Sequence, residues 1–158
     1  MLNVDKNLIR YNLTQIRVFT AIASLIFSMY AVYFDDIVNN DGILYLKAAK
    51  LFVSGNMEAA FATYNWPFYS IIIAFFQKIT SIPLELTAYI LSCIFFVLLT
   101  DALILISSLI FSVPRQLKIS AILILCFMPI LDYRDYIIRD PGYWAFACLA
   151  LYHFMVFM

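Results

Sequence analysis

The sequence holds a single histidine, His153, and only three glycines. One histidine excludes a zinc-protease motif, and scattered glycines exclude a phosphate-cradling glycine loop. The three cysteines, Cys93, Cys126 and Cys148, sit inside apolar runs. Their spacings match no metal site, and they read as small buried hydrophobes. Charge is scarce as well: 13% of residues are charged, and ten basic side chains cancel ten acidic ones. With zero net charge and no basic tract, nucleic acid is excluded as a partner.

What is abundant is apolar surface. Hydrophobic residues make up 65% of the chain, with 15 phenylalanines and 11 tyrosines, and mean hydropathy is +0.93. Soluble domains carry about 45–50% apolar and about 25% charged residues. A chain of 158 residues still needs a polar surface, so the excess implies a surface facing lipid rather than a larger core. A very apolar soluble helical domain is the alternative. The charges gathered at the ends of the apolar runs argue against it.

In chain order, Lys6, Arg10 and Arg17 precede the uncharged run Val18–Phe34. That order predicts a first span with its positive flank in the cytoplasm. Tyr30, Tyr33 and Phe34 make a poor cleavage site, so the run reads as an uncleaved span rather than a signal peptide. Residues 35–83 then form an outer loop, opened by Asp35 and Asp36. Asp41-Gly42 predicts a helix start, and Ile43–Val53 a surface-lying helix with Lys47 and Lys50 on one face. Ser54-Gly55-Asn56 stops it. Phe68–Ile79 is too short for a span and reads as an interfacial helix. Leu84–Val113 is long enough to cross, and Ile119–Leu131 crosses back. The charged segment Asp132–Arg139 is followed by Asp140-Pro141, which predicts a new helix start. The expected fold is therefore all-α and polytopic: four transmembrane spans at about 16–34, 84–113, 115–131 and 141–158, with outer loops 35–83 and 132–140. Both termini are expected in the cytoplasm.

The candidate site residues lie in those two loops. Asp41, at a predicted helix start, can take a proton from a hydroxyl or hold a divalent metal ion; a plain helix cap is the alternative. Asp140 has the same context. Arg134 and Arg139 suit phosphate recognition, unless they pair with Asp132 and Asp135. Lys47 and Lys50 suit lipid headgroups. Tyr64 and Trp66 read as interface anchors, or as residues beside a sugar or lipid chain. Asp101, inside a span, reads as structural, and His153 as a buried polar contact.

The run Asp41-Gly42-Ile43-Leu44-Tyr45-Leu46-Lys47-Ala48-Ala49, then Ser54-Gly55, Asn65-Trp66-Pro67-Phe68-Tyr69-Ser70 and Tyr136-Ile137-Ile138-Arg139-Asp140, resembles the N-terminal part of GT-C type membrane glycosyltransferases. The style is that of protein O-mannosyltransferases and lipid A aminoarabinose transferases, and the resemblance covers essentially the whole chain. It implies an enzyme that moves a sugar from a polyprenyl-phosphate donor to an acceptor left open, at the outer face of a membrane such as the bacterial inner membrane. Asp41 would then be the base or a metal-associated acid, and Asp140 the second acid. Lys47, Lys50, Tyr64, Trp66, Arg134 and Arg139 would hold the substrate. Relatives often carry Asp-Glu where this chain has Asp41-Gly42, and Lys-Pro-Pro where it has Asn65-Trp66-Pro67. The lost lysine removes a phosphate contact for which Lys47 or Arg139 would substitute. Because the family's members are several hundred residues long, the chain is expected to be a fragment, inactive alone. The alternative is a small non-catalytic membrane scaffold or transporter-like subunit.

Overall fold

In the computed structural model, residues 6–34 and 38–158 are described, with side chains from residue 12 onward. These residues form eight helices: α1 (Lys6–Phe34), α2 (Asn40–Val53), α3 (Met57–Thr63), α4 (Phe68–Thr80), α5 (Leu84–Ile110), α6 (Pro114–Leu125), α7 (Met128–Leu131) and α8 (Asp140–Phe157). No strand occurs among the described residues. Helix α5 is the hub and packs against α1, α2, α4, α6 and α8. Helices α2, α3 and α4 form a local unit around Tyr45, Ala49, Phe52, Ala60, Tyr69 and Ile73. A second cluster, Ile16, Ile104, Leu117 and Ala121, joins α1, α5 and α6.

Local chemistry explains the boundaries. Helix α2 ends where Gly55 takes φ +83. The Asn56 amide then bonds the Leu51 carbonyl, and the Gly55 amide bonds that of Phe52. These are the two reversed bonds that close a helix on a left-handed glycine. Helix α1 reverses the usual amphipathic order. Its buried stripe is Ile16, Thr20, Ser24 and Ser28, four residues apart, while Val18, Phe19, Ile22 and Ile26 are exposed. Small side chains let α1 approach α5 closely, and Ser24 and Thr100 share a hydrogen bond of 3.1 Å between their hydroxyls.

The four-span architecture is overturned. Among the described residues, two helices are long and apolar enough to cross a membrane, Asn12–Phe34 and Leu84–Ile110. A buried core helix and an N-terminal leader meet the same requirement, so these two define no polytopic topology. The expected third span is broken: α6 stops at Leu125 and a separate turn, α7, begins at Met128. Pro129 accounts for the break, because its ring clashes with the carbonyl four residues earlier, that of Leu125, and it has no amide to donate. The 12 residues of α6 rise about 18 Å, against about 30 Å of hydrocarbon. The fourth expected span is the 18-residue α8, which begins on Asp140, Pro141 and Gly142. Helix α4 does not lie by itself on a surface: it packs on α2 and α5, with Tyr69, Ser70, Ile73 and Ala74 buried. Nor does α2 lie apart on a surface, since Tyr45, Ala48, Ala49 and Phe52 are buried against its neighbours. Without the four-span topology, the expected placement of both termini inside and both loops outside, and with it the inner-membrane localisation, loses its basis. Asp35 and Asp36 lie outside the described residues.

Candidate functional site

A cavity of about 650 Å³ opens where α4, α5 and α8 meet. The segment Asn65–Pro67 forms one lip. Pro67 sits at the cap of α4 with φ −79, and Phe68 and Tyr69, the first two residues of that helix, line the cavity. Phe95 of α5 and Tyr143 and Phe146 of α8 complete the apolar lining. Tyr143 and Phe146 are three apart and share a helix face. The rings support one another: Tyr69 and Phe95 are 6.2 Å apart and Phe95 and Phe146 6.4 Å, centroid to centroid. The second pair meets edge to face, as aromatic quadrupoles favour.

Two features fix this wall. Tyr69 is 3% exposed and its hydroxyl reaches the Ser92 hydroxyl at 3.2 Å and the Ala88 carbonyl at 3.4 Å. Burial pushes the Tyr69 phenol up to about 12. Gly142 lets the Phe95 ring lie against the α8 backbone, because a Cβ there would sit 2.9 Å from that ring.

Besides the tyrosine hydroxyls and the Trp66 indole, the polar lining consists of Asn65, Arg139 and Asp140. Arg139 and Asp140 are each about half exposed, with Nε and Oδ1 4.0 Å apart. That separation is too long for a tight pair, so the guanidinium keeps donors available. Asp140 occupies the first turn of α8, where the helix dipole favours a carboxylate.

The sequence-predicted residues do not all come together. Trp66, Arg139 and Asp140 share the cavity lining. Tyr64 lies behind it, edge to face with Tyr45 at 5.2 Å. Asp41 and Arg139 both act electrostatically on Tyr45, whose phenol is pushed up mainly by burial, then by its hydrogen bond with Tyr64. Asp41 itself is exposed in the first turn of α2, outside the cavity wall. Asn39 holds the cap position, and its side chain instead accepts from the Ile137 amide at 2.9 Å. This bond ties the start of α2 to the segment before α8. Gly42 permits it, since a Cβ there would meet Asn39 Oδ1 at 2.6 Å. Lys47 and Lys50 are exposed on α2 and take no part in the cavity wall.

Arg134 is not a surface residue. It is 1% exposed, and its Nη1 donates to the Ser24 carbonyl and to the hydroxyls of Ser24 and Ser28 at 2.8–3.0 Å. Its guanidinium carbon lies 5.0 Å from the Phe96 ring centre. Burial lowers the Arg134 guanidinium to about 10. Asp101 has a partner that local sequence could not reveal. Arg17, 84 residues away, grips it with Nε–Oδ1 at 2.7 Å and Nη2–Oδ2 at 2.8 Å. Hydrogen bonding to Asp101 holds the Arg17 guanidinium above its usual value, burial opposing. Arg17 is thus a fastener between α1 and α5 rather than a positive flank.

The aromatic wall was missed at the sequence level. Its signal was present in Phe68-Tyr69 after a proline and in Tyr143 and Phe146 after a proline and a glycine. It was absorbed into the reading of apolar runs as spans.

Compared with known proteins, the chain matches no family model, no curated protein and no solved structure. The fold of eight packed helices with two candidate spans is not the polytopic GT-C arrangement, which removes the resemblance and the glycosyltransferase function drawn from it. Among the described residues, no group of three or more His, Cys, Asp or Glu side chains could hold a metal ion, so the divalent ion proposed for Asp41 has no ligand set there. The lipid and polyprenyl-phosphate partners fall with the surface-lying helix and the outer loops that were to receive them.

Proposed function

We propose that this chain binds a small, ring-bearing apolar molecule carrying one anionic group, seated in the cavity between α4, α5 and α8. The observation that carries this reading is the make-up of the lining: the rings of Trp66, Phe68, Tyr69, Phe95, Tyr143 and Phe146 beside one cation, Arg139, one acid, Asp140, and one amide, Asn65. A volume of about 650 Å³ falls within the range of small-molecule sites, roughly 300–1,000 Å³. The rings supply contact area that needs no hydrogen bonds. Arg139 meets the anionic end, Asn65 offers a donor and an acceptor beside it, and Asp140 disfavours a second negative charge. Trp66, 73% exposed, closes over the bound ring.

The test is calorimetric titration with 2-naphthoate and its neutral analogue 2-naphthol. Both are expected to bind the unmodified chain, naphthoate more tightly. Arg139→Gln weakens naphthoate about three- to tenfold, the worth of one half-exposed charged hydrogen bond, and leaves 2-naphthol unchanged. Gly142→Leu, which drives a side chain into the Phe95 ring, abolishes both. Equal affinity of the chain and the Gly142→Leu variant for both probes would show that the cavity is not the site.

A further inference from the structure

Arg134 is the largest fully buried side chain among the described residues, and the cavity does not use it. Only one of its three nitrogens is engaged: Nη1 makes all three of its hydrogen bonds, while Nε and Nη2 are buried and donate to no described residue. Those two nitrogens form one edge of the guanidinium, the edge that grips a carboxylate with two parallel bonds. Arg17 shows that use in the same chain, holding Asp101 through Nε and Nη2 at 2.7 and 2.8 Å.

A guanidinium keeps its proton in proteins, so the charge stays buried whether or not the edge is filled. Among the described residues no carboxylate forms an ion pair with it. Cys93, which it feels electrostatically, is no counter-charge, because burial pushes that thiol up and keeps it protonated. A buried cation with two unsatisfied donors is among the costliest arrangements in a protein, and an oxyanion on those donors relieves both costs together.

We propose that the Nε–Nη2 edge of Arg134 is a binding site for a carboxylate group, separate from the cavity. The fork geometry selects a planar oxyanion over a spherical halide. Phe96, fully buried, covers the guanidinium on one side at 5.0 Å, while Phe27, 6.0 Å away, is 38% exposed. Arg134 itself stands in the turn segment between α7 and α8, whose bond to α2 is Ile137 N to Asn39 Oδ1. The carboxylate is either a free small acid or the acidic side chain of another polypeptide.

The experiment uses the unmodified chain with ¹⁵N-labelled arginine and ¹³C-formate, at ionic strength held constant with chloride. Formate is expected to move the Arg134 Nε–H resonance saturably, and its own line to broaden, while chloride does neither. Arg134→Lys keeps the charge and loses the fork, so its preference for formate over chloride disappears. The Nε–H resonance gives the answer on the unmodified protein even where that variant does not fold. Displacement of ¹³C-formate by an oligoglutamate peptide assigns the site to a polypeptide acid; formate binding that the peptide leaves untouched assigns it to a free one. An Arg134 resonance indifferent to formate overturns the proposal.

Discussion

Removing one side of the Arg17–Asp101 pair is expected to cost about 2 kcal/mol. The reasoning starts from exposure: the Arg17 side chain is 42% exposed and that of Asp101 21%. Breaking a fully buried pair costs about 3–5 kcal/mol, and an exposed one contributes about 0.2–1 kcal/mol. A half-screened pair with both bonds well formed falls between, at about 2 kcal/mol. For a chain of this size that lowers the unfolding midpoint by roughly 4–8 °C. The perturbation should be mutational rather than pH-based. Because hydrogen bonding to Asp101 raises the Arg17 guanidinium above its ordinary value, its contribution is fully present below that value and is lost only as pH climbs beyond it, outside any practical range. Arg17→Met, Asp101→Asn and the double variant, unfolded in urea and followed by circular dichroism, give a coupling energy of about 1–2 kcal/mol. The charge-reversed pair, Arg17→Asp with Asp101→Arg, should recover part of the loss. A coupling energy below about 0.3 kcal/mol, the ordinary error of additivity, would refute the claim that this bond fastens α1 to α5.

Three further outcomes are expected. Phe96→Ala should destabilise by about 3–5 kcal/mol, because the ring is wholly buried and its loss leaves a cavity; a denaturant midpoint within error of the parent would contradict the packing described. Gly142→Ala places a Cβ 2.9 Å from the Phe95 ring. It should shift that ring and weaken naphthoate binding while costing under about 2 kcal/mol of stability, read by calorimetry and urea unfolding. Tyr69, raised to about 12 in the folded chain from an ordinary 10, gives stability that is full below pH 10 and falls as pH rises toward 12. The loss approaches roughly 3 kcal/mol, and Tyr69→Phe should flatten that part of the profile.

Boundary chemistry was the most legible part of the sequence. Ser54-Gly55-Asn56 stops α2 because Gly55 alone takes the left-handed turn there without strain, Asn65-Trp66-Pro67 precedes α4, and Asp140-Pro141 opens α8. The Arg139 and Asp140 neighbourhood was legible too, since both flank the start of α8. What failed was the step from apolar run to membrane span. Hydropathy counts how much apolar surface a helix has, not which face meets protein. Helix α1 buries serines and threonine and exposes phenylalanine and isoleucine, so its periodicity pointed away from its contacts. Pro129 went unused although it breaks the third run. Arg134 read as a surface cation because its neighbours Asp132 and Asp135 are acidic; only Ser24 and Ser28, more than 100 residues earlier, explain its burial. The cavity rings come from three helices far apart in sequence, and no local pattern could have assembled them.

The separation between α1 and its partners also sets an order of events during synthesis. Chains emerge from the ribosome at about 5–20 residues per second, so Asp101 appears roughly 4–17 s after Arg17, 84 positions earlier. The α2–α4 unit can collapse within that interval, because its contacts are local and local contacts form first. Helix α1 cannot, and its exposed phenylalanines and isoleucines wait in the nascent chain without the partner that seats its polar stripe. Helix α1 is made well before α5 and is secured only once α5 follows, so anything that binds apolar segments at the tunnel exit has that interval in which to meet it.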